Sequence, residues 1–255
     1  MIEPEFAGLL LAAFFAGFVD AVAGGGGLIQ VPALLGAMPE QATATLFGTN
    51  KVASIFGTAS ATWRYLRRVS IPWRLVGGAA ISAFVFSFIG AACVAWFPVH
   101  VVRPAVFVLL IAVIGYTLLQ PTLGLADASA SIAVEPDSRN GGFLFGSAMG
   151  FYDGFFGPGT GSFLIFGFVR WFGMDFLRAS ASAKVVNLAT NAAALTFFVP
   201  TGHVLWAVGL GMAAVNVIGA QVGTRVALRG GSVWVRRAFL LVSTALVIKV
   251  GLDVF

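Results

Sequence analysis

From Val76 to Phe97 the chain runs without a single charged side chain, and from Val102 to Leu119 it carries only Arg103. About 20 continuous apolar residues match the hydrocarbon thickness of a bilayer as one α-helix, whereas a transmembrane β-strand alternates apolar and polar residues over about 10. Continuity therefore selects helices. Composition agrees: 59% of the 255 residues are hydrophobic, 10% are charged and the mean hydropathy is +0.96, where soluble domains carry about 25% charged residues. A soluble enzyme, a disordered chain and a disulfide scaffold are all excluded, and the single Cys93 has no partner for a bridge. The expected fold class is an all-α polytopic membrane protein with the lipid bilayer as its solvent. The acidic start (Glu3, Glu5) lacks the basic n-region of a signal peptide, so Phe6 onward reads as membrane domain.

The sequence also contains itself. Gly17-Phe18-Val19-Asp20 recurs as Gly150-Phe151-Tyr152-Asp153, an offset of 133 positions from 17 to 150. Without a gap, the same offset relates Gly24 to Gly157, Gly26 to Gly159, Lys51 to Lys184, Trp73 to Trp206, Gly90 to Gly223 and Arg103 to Arg236. Two homologous halves are expected, 1–119 and 141–255, joined by a polar linker over 120–140. Each half reads as one glycine-broken apolar segment followed by three spanning helices. In the first half the broken segment is 6–37 and the spans are 41–61, 73–97 and 101–119. In the second the broken segment is 141–169 and the spans are 176–199, 204–226 and 233–250.

Loop charge bears on orientation. Arg64, Arg67, Arg68 and Arg74 follow the first full span of the first half, whereas the matching loop of the second half has no Arg or Lys. There the cluster comes one loop later, as Arg225, Arg229, Arg236 and Arg237. Basic loops out of phase are what halves in opposite orientations would give. If each broken segment enters and returns on one side, three net crossings per half remain. Both clusters, with Arg170 and Arg178, then face the cytoplasm, and both termini face outward with Glu3, Glu5 and Glu40. The net charge of +5 is thus accounted for by cytoplasmic loops, without a nucleic-acid partner.

Four consecutive glycines (24–27) and the Gly157-Pro158-Gly159-Thr160-Gly161 run will not hold a helix. Non-helical backbone at membrane depth survives only against protein or a water-filled cavity, and a helix restarting there aims free N–H groups and its positive end inward, which suits an anion. A tight helix hairpin that uses glycine for close packing is the structural alternative. Lys51 and Lys184 lie about two turns inside apolar helices, where an ammonium costs about 2.5–3.5 kcal/mol on insertion scales. Their candidate partners, Asp20 and Asp153, occupy equivalent positions. Two readings stay open: permanent Lys–Asp bridges that stake the fold, or lysines that supply charge for an anion while the aspartates exchange partners or protons. Asn187 and Asn191 continue the Lys184 face, with Ser54 and Thr58 as first-half counterparts. Gly146, Gly150 and Gly154 repeat every fourth residue and read as a close-packing face, as do Gly219 and Gly223. His100 and His203 are not equivalent under the repeat, which argues against a metal site. Neither a nucleotide-binding nor a cofactor motif, nor a nucleophile–base set, is visible, so no enzyme activity is expected.

The run at 17–27 (Gly-Phe-Val-Asp-Ala-Val-Ala-Gly-Gly-Gly-Gly), Gly-Thr-Asn-Lys at 48–51 and the run at 150–161 resemble the sulfite exporter TauE/SafE family. The resemblance covers nearly the whole chain. It implies a multi-pass permease of the bacterial inner membrane that transports a small anion, sulfite or an organosulfonate, often outward. Ala183 stands where the first half has Asn50, so the halves would contribute unequally. The expected substrate site comprises Gly25, Gly26, Gly27, Thr49, Asn50 and Lys51 from the first half. From the second it takes Gly159, Thr160, Gly161, Ser182, Lys184 and Asn187. Asp20 and Asp153 pair the lysines and take part in coupling, with protons as the candidate coupling ion. A passive anion channel and a non-transporting membrane subunit are the rivals, and a homo-oligomer is compatible with each.

Overall fold

The computed structural model describes residues 4–93 and 138–254. The expected span over 101–119, most of the 120–140 linker, and the side chains of Glu3, His100, Arg103 and Lys249 lie outside the described residues. All regular structure among the described residues is helical. The elements are α1 (Pro4–Ala23), α2 (Gly27–Ala37), α3 (Thr43–Leu66), α4 (Trp73–Cys93), α5 (Ser138–Phe155), α6 (Thr160–Phe172), α7 (Phe176–Phe198) and α8 (Trp206–Val254). Gly231, at φ 66 and ψ −170, interrupts α8 between the two spans expected there. α3 runs five residues past its expected end at Ala61, to Leu66, carrying Arg64 on its last turn.

Both glycine runs break the chain where expected, between α1 and α2 and between α5 and α6. The second pieces have 11 and 13 residues, about 16–20 Å at 1.5 Å per residue, too short for a hydrocarbon core of about 30 Å. Three described stretches are long and apolar enough to cross: Phe6–Ala23, Trp73–Cys93 and Trp206–Leu241. α3 and α7, of 24 and 23 residues, have the length but not the hydropathy. The reason is their position. Both are central helices whose polar residues, Thr49 to Lys51 on α3 and Ser180 to Lys184 on α7, are buried in protein rather than turned to lipid.

Around them α1 packs on α8, α5 on α4, α3 on α7 and α8, and α7 on α3 and α4. Small residues bring these backbones together, since lipid supplies no hydrophobic drive between helices. Gly146, Gly150 and Gly154 of α5 lie against the backbone of Ala79, Ala83 and Ser87 on α4. Gly219 and Gly223 of α8 lie in the same way against Phe14 and Phe18 of α1. Ser82 Oγ donates to Phe143 O at 2.8 Å, and Ser87 Oγ to Thr190 O at 3.0 Å. The outer surface is apolar, with Leu11, Ile81, Leu144 and Leu241 exposed by 61–73%. Trp63, Trp73, Trp171 and Trp206 are also exposed, in keeping with an interfacial aromatic belt.

A Cβ on Gly150 would stand 2.5 Å from Ala83 Cα, whereas one on Gly77 meets nothing within 4 Å. Gly150→Val is therefore expected to cost at least about 1–3 kcal/mol by overpacking. Gly77→Ala should be neutral or gain up to about 1 kcal/mol of helix propensity. Thermal unfolding of the two purified variants in detergent checks the contrast.

Candidate functional site

The two breaks meet at the centre of the molecule. Gly24 (φ 78) and Gly161 are so close that a Cβ on either would enter the other's backbone, and Ser162 Oγ donates to Ala23 O at 2.8 Å. Gly157 and Gly159 hold φ of 87 and 86, a region L side chains rarely adopt. The second break is braced by its own side chains: Tyr152 Oη donates to Pro158 O at 2.6 Å and Thr160 Oγ1 to Gly157 O at 2.7 Å. α2 and α6 restart at Gly26 and Gly159, neither of which supplies a side-chain cap.

The lysines reach across to the breaks. Lys51 Nζ on α3 bonds Asp153 Oδ2 on α5 at 2.5 Å, and Lys184 Nζ on α7 bonds Asp20 Oδ2 on α1 at 2.7 Å. Each lysine thus pairs with the aspartate from the other part of the chain, a choice that sequence left open. Side-chain exposures are 5% and 2% in the first pair but 0% and 19% in the second. The pairs are therefore unequal, with Asp20 the one member that keeps substantial access.

Beside them lies a cavity of about 30 Å³, room for about two waters. Its charged lining is Asp20, Lys51 and Asp153; its hydroxyls are Ser54 and Thr58. Amides dominate the remainder, namely Gln30, Asn50, Asn187, Asn191 and Asn216, with backbone at Gly24, Gly26, Gly27, Gly157, Gly159 and Gly161. Asn50 Oδ1 is buried without a hydrogen-bond partner.

Of the residues expected at the site, the structure brings Asp20, Gly26, Gly27, Asn50, Lys51, Asp153, Gly159, Gly161 and Asn187 to this cavity. Five are not on its wall. Lys184 is fully buried behind Asp20, and Gly25 does not reach the wall. Thr49 Oγ1 donates to Thr45 O and accepts from Leu205 N at 2.9 Å, tying α3 to the start of α8. Thr160 bonds the break itself, and Ser182 Oγ turns to Met174 Sδ at 3.5 Å. Gln30 and Asn216 escaped the sequence reading. Asn216 Nδ2 donates to Gln30 Oε1 at 3.0 Å and to Ala13 O at 3.1 Å. Their counterparts at the 133-residue offset are Phe163 and Ala83, so a search by repeat register passes them over. An amide inside an apolar helix was the signal that could have found them.

Residues 9–250 match the family described as Sulfite exporter TauE/SafE. The chain belongs to the TauE/SafE family. It is 39% identical over 251 residues to the probable membrane transporter protein ORF9 of a Sinorhizobium species, covering 96% of this chain and 92% of that one. It is 36% identical over 256 positions to the probable membrane transporter protein YfcA of Escherichia coli, covering 99% and 92%. A probable membrane transporter protein of Haemophilus influenzae is 34% identical over 245 residues, covering 96% and 94%. No solved structure matches the chain. This TauE/SafE protein is thus a multi-pass membrane protein of a transporter family, not an enzyme.

Removing one partner of a buried pair strands the other charge, which costs about 3–5 kcal/mol, whereas replacing both partners is often nearly neutral. Lys51→Met is therefore expected to lower thermal stability strongly. Lys51→Met/Asp153→Leu should regain most of the loss in the same unfolding assay.

Proposed function

We propose that this TauE/SafE protein is a secondary transporter of a small oxyanion, sulfite or an organosulfonate, in the bacterial inner membrane. In this reading 1–119 and 141–255 are inverted repeats joined by the 120–140 linker, and the anion binds between them at the glycine breaks. The observation that carries it is the crossed pairing of Lys51 with Asp153 and of Lys184 with Asp20. The 133-residue offset exchanges these two pairs, and it also exchanges the packing of α1 on α8 with that of α5 on α4.

Charge balance suggests the coupling. Two ammonium and two carboxylate groups sum to zero, so adding an anion to the cavity leaves an uncompensated charge within the bundle, which is costly. A proton on Asp20 or Asp153 removes that cost by freeing an ammonium for the anion. One proton would then travel with each negative charge. Asp20, the more accessible carboxylate, is the better candidate for its entry point. Lys51, Asn187 and the backbone of Gly26, Gly27, Gly159 and Gly161 are the proposed ligands. The unpaired Asn50 Oδ1 suits an oxyanion that still bears a proton. In this reading, movement of one repeat against the other carries the bound anion across.

Sulfite flux into proteoliposomes under an imposed pH gradient tests the proposal, with Lys51→Met/Asp153→Asn as the charge-balanced variant. Saturable, gradient-sensitive flux that falls at least tenfold in the folded variant is expected. Flux of a sulfonate in place of sulfite moves the substrate and keeps the mechanism. Non-saturating flux indifferent to the gradient would mean a channel, and no flux of any anion a non-transporting subunit.

A further inference from the structure

We propose that the basic cleft at the end of α3 binds the headgroup of an anionic phospholipid. The cleft has a volume of about 670 Å³ and opens between the end of α3, the first turn of α7 and the middle of α8. Arg64, Arg67 and Arg68 line one side and Arg225 and Arg229 the other. Among the described residues no carboxylate pairs with any of the five; the ion pairs there involve Lys51, Lys184 and Arg178. Arg64 Nη2 donates to the neutral Gln221 Oε1 at 3.0 Å, and the Arg67 guanidinium lies 3.7 Å from the centroid of the Trp63 ring. Both contacts orient a guanidinium without neutralising it. Such forks bind phosphate oxygens in bidentate fashion.

The remaining walls select a lipid over a free oxyanion. Trp63, Val69, Leu177 and Leu228 give the cleft an apolar side, and Trp63 is 57% exposed, as in an interfacial belt where glycerol and the first methylenes of a lipid lie. A small oxyanion would leave most of the volume and all of that apolar wall wet. The cleft is also separate from the central cavity. Arg64 stands 13 residues beyond Lys51 on the same helix, about 20 Å away. Basic pockets between transmembrane helices are the kind of site that holds anionic headgroups. Five neighbouring cations repel one another, and two phosphates relieve that repulsion better than one. The order expected is a two-phosphate lipid of the cardiolipin type, then phosphatidylglycerol, then phosphatidylcholine. The inference is independent of the transported substrate.

The test is native mass spectrometry and thermal shift of the full chain in detergent, titrated with cardiolipin, phosphatidylglycerol, phosphatidylcholine, or inorganic phosphate and soluble glycerophosphate. Cardiolipin is expected to bind at least tenfold more tightly than phosphatidylcholine and to raise the melting temperature. The exposed-residue variant Arg67→Gln/Arg68→Gln/Arg229→Gln should lose at least tenfold in cardiolipin affinity, and Arg74→Gln, outside the cleft, should lose none. If the glutamine variant does not fold, Arg67→Lys/Arg68→Lys/Arg229→Lys keeps the charge but loses the bidentate forks, and should bind cardiolipin several-fold more weakly than the wild type; unchanged affinity in this folded variant overturns the proposal. Equal binding of cardiolipin and phosphatidylcholine overturns the proposal, as does cardiolipin binding unchanged in a folded glutamine variant. Inorganic phosphate displacing cardiolipin at equal concentration would also overturn it, by identifying a small-anion vestibule.

Discussion

Everything central to this molecule depends on keeping two ammonium groups inside a bilayer-sized bundle. A lysine at that depth is tolerated only with a partner, and here each partner lies on a different helix from the other side of the chain. Lys51 holds α3 to α5, and Lys184 holds α7 to α1. The two pairs therefore knit the outer helices to the central ones across the middle of the fold. They also set the depth of the glycine breaks, because Asp20 and Asp153 each lie one turn before a break. The Lys51 ammonium reaches Gly157 itself, 3.3 Å from where a Cβ would stand.

Close approach is the second requirement, and glycine, alanine and serine meet it. A lipid-immersed bundle gains little from burying apolar surface and must gain from contact between backbones. α5 accordingly presents Gly142, Gly146, Gly150 and Gly154 to α4, and α8 presents Gly219 and Gly223 to the backbone of α1. The same economy lets the two breaks touch at Gly24 and Gly161. Large aromatic side chains, Tyr65, Phe168, Phe176 and Phe198 among them, are buried in the space left between these contacts. Phe145, for example, packs against Phe168, Trp171 and Phe172 of α6.

The site so formed is close to neutral and only partly symmetric. Amides rather than cations make most of its polar wall, and Gln30 and Asn216 supply two of them from positions with apolar counterparts. Such a wall can accept or donate hydrogen bonds without committing to one charge state. The strongly cationic surface of the protein lies elsewhere, about 20 Å along α3, where uncompensated arginines meet an apolar wall.

The membrane class, the helices among the described residues, the glycine breaks and the four charged residues that form the buried pairs were all legible in the sequence. Each is a local matter of free energy in lipid. An uncharged run must be a span, four glycines cannot stay helical, and an intramembrane Lys or Asp must be excused by a partner. Family membership was legible for the same reason, since its motifs are the breaks and their charges. Which aspartate each lysine takes was not legible, nor that Lys184 is sealed behind Asp20. Nor was it legible that Thr49, Thr160 and Ser182 spend their hydroxyls on Thr45, Gly157 and Met174 instead of on the cavity. Those outcomes depend on how whole helices cross. Crossing is decided by backbone contacts such as Gly150 on Ala83 and Gly219 on Phe14, between residues far apart in the chain. A single helix read along its own sequence shows which groups need a partner; only the packed bundle decides which partner comes within reach.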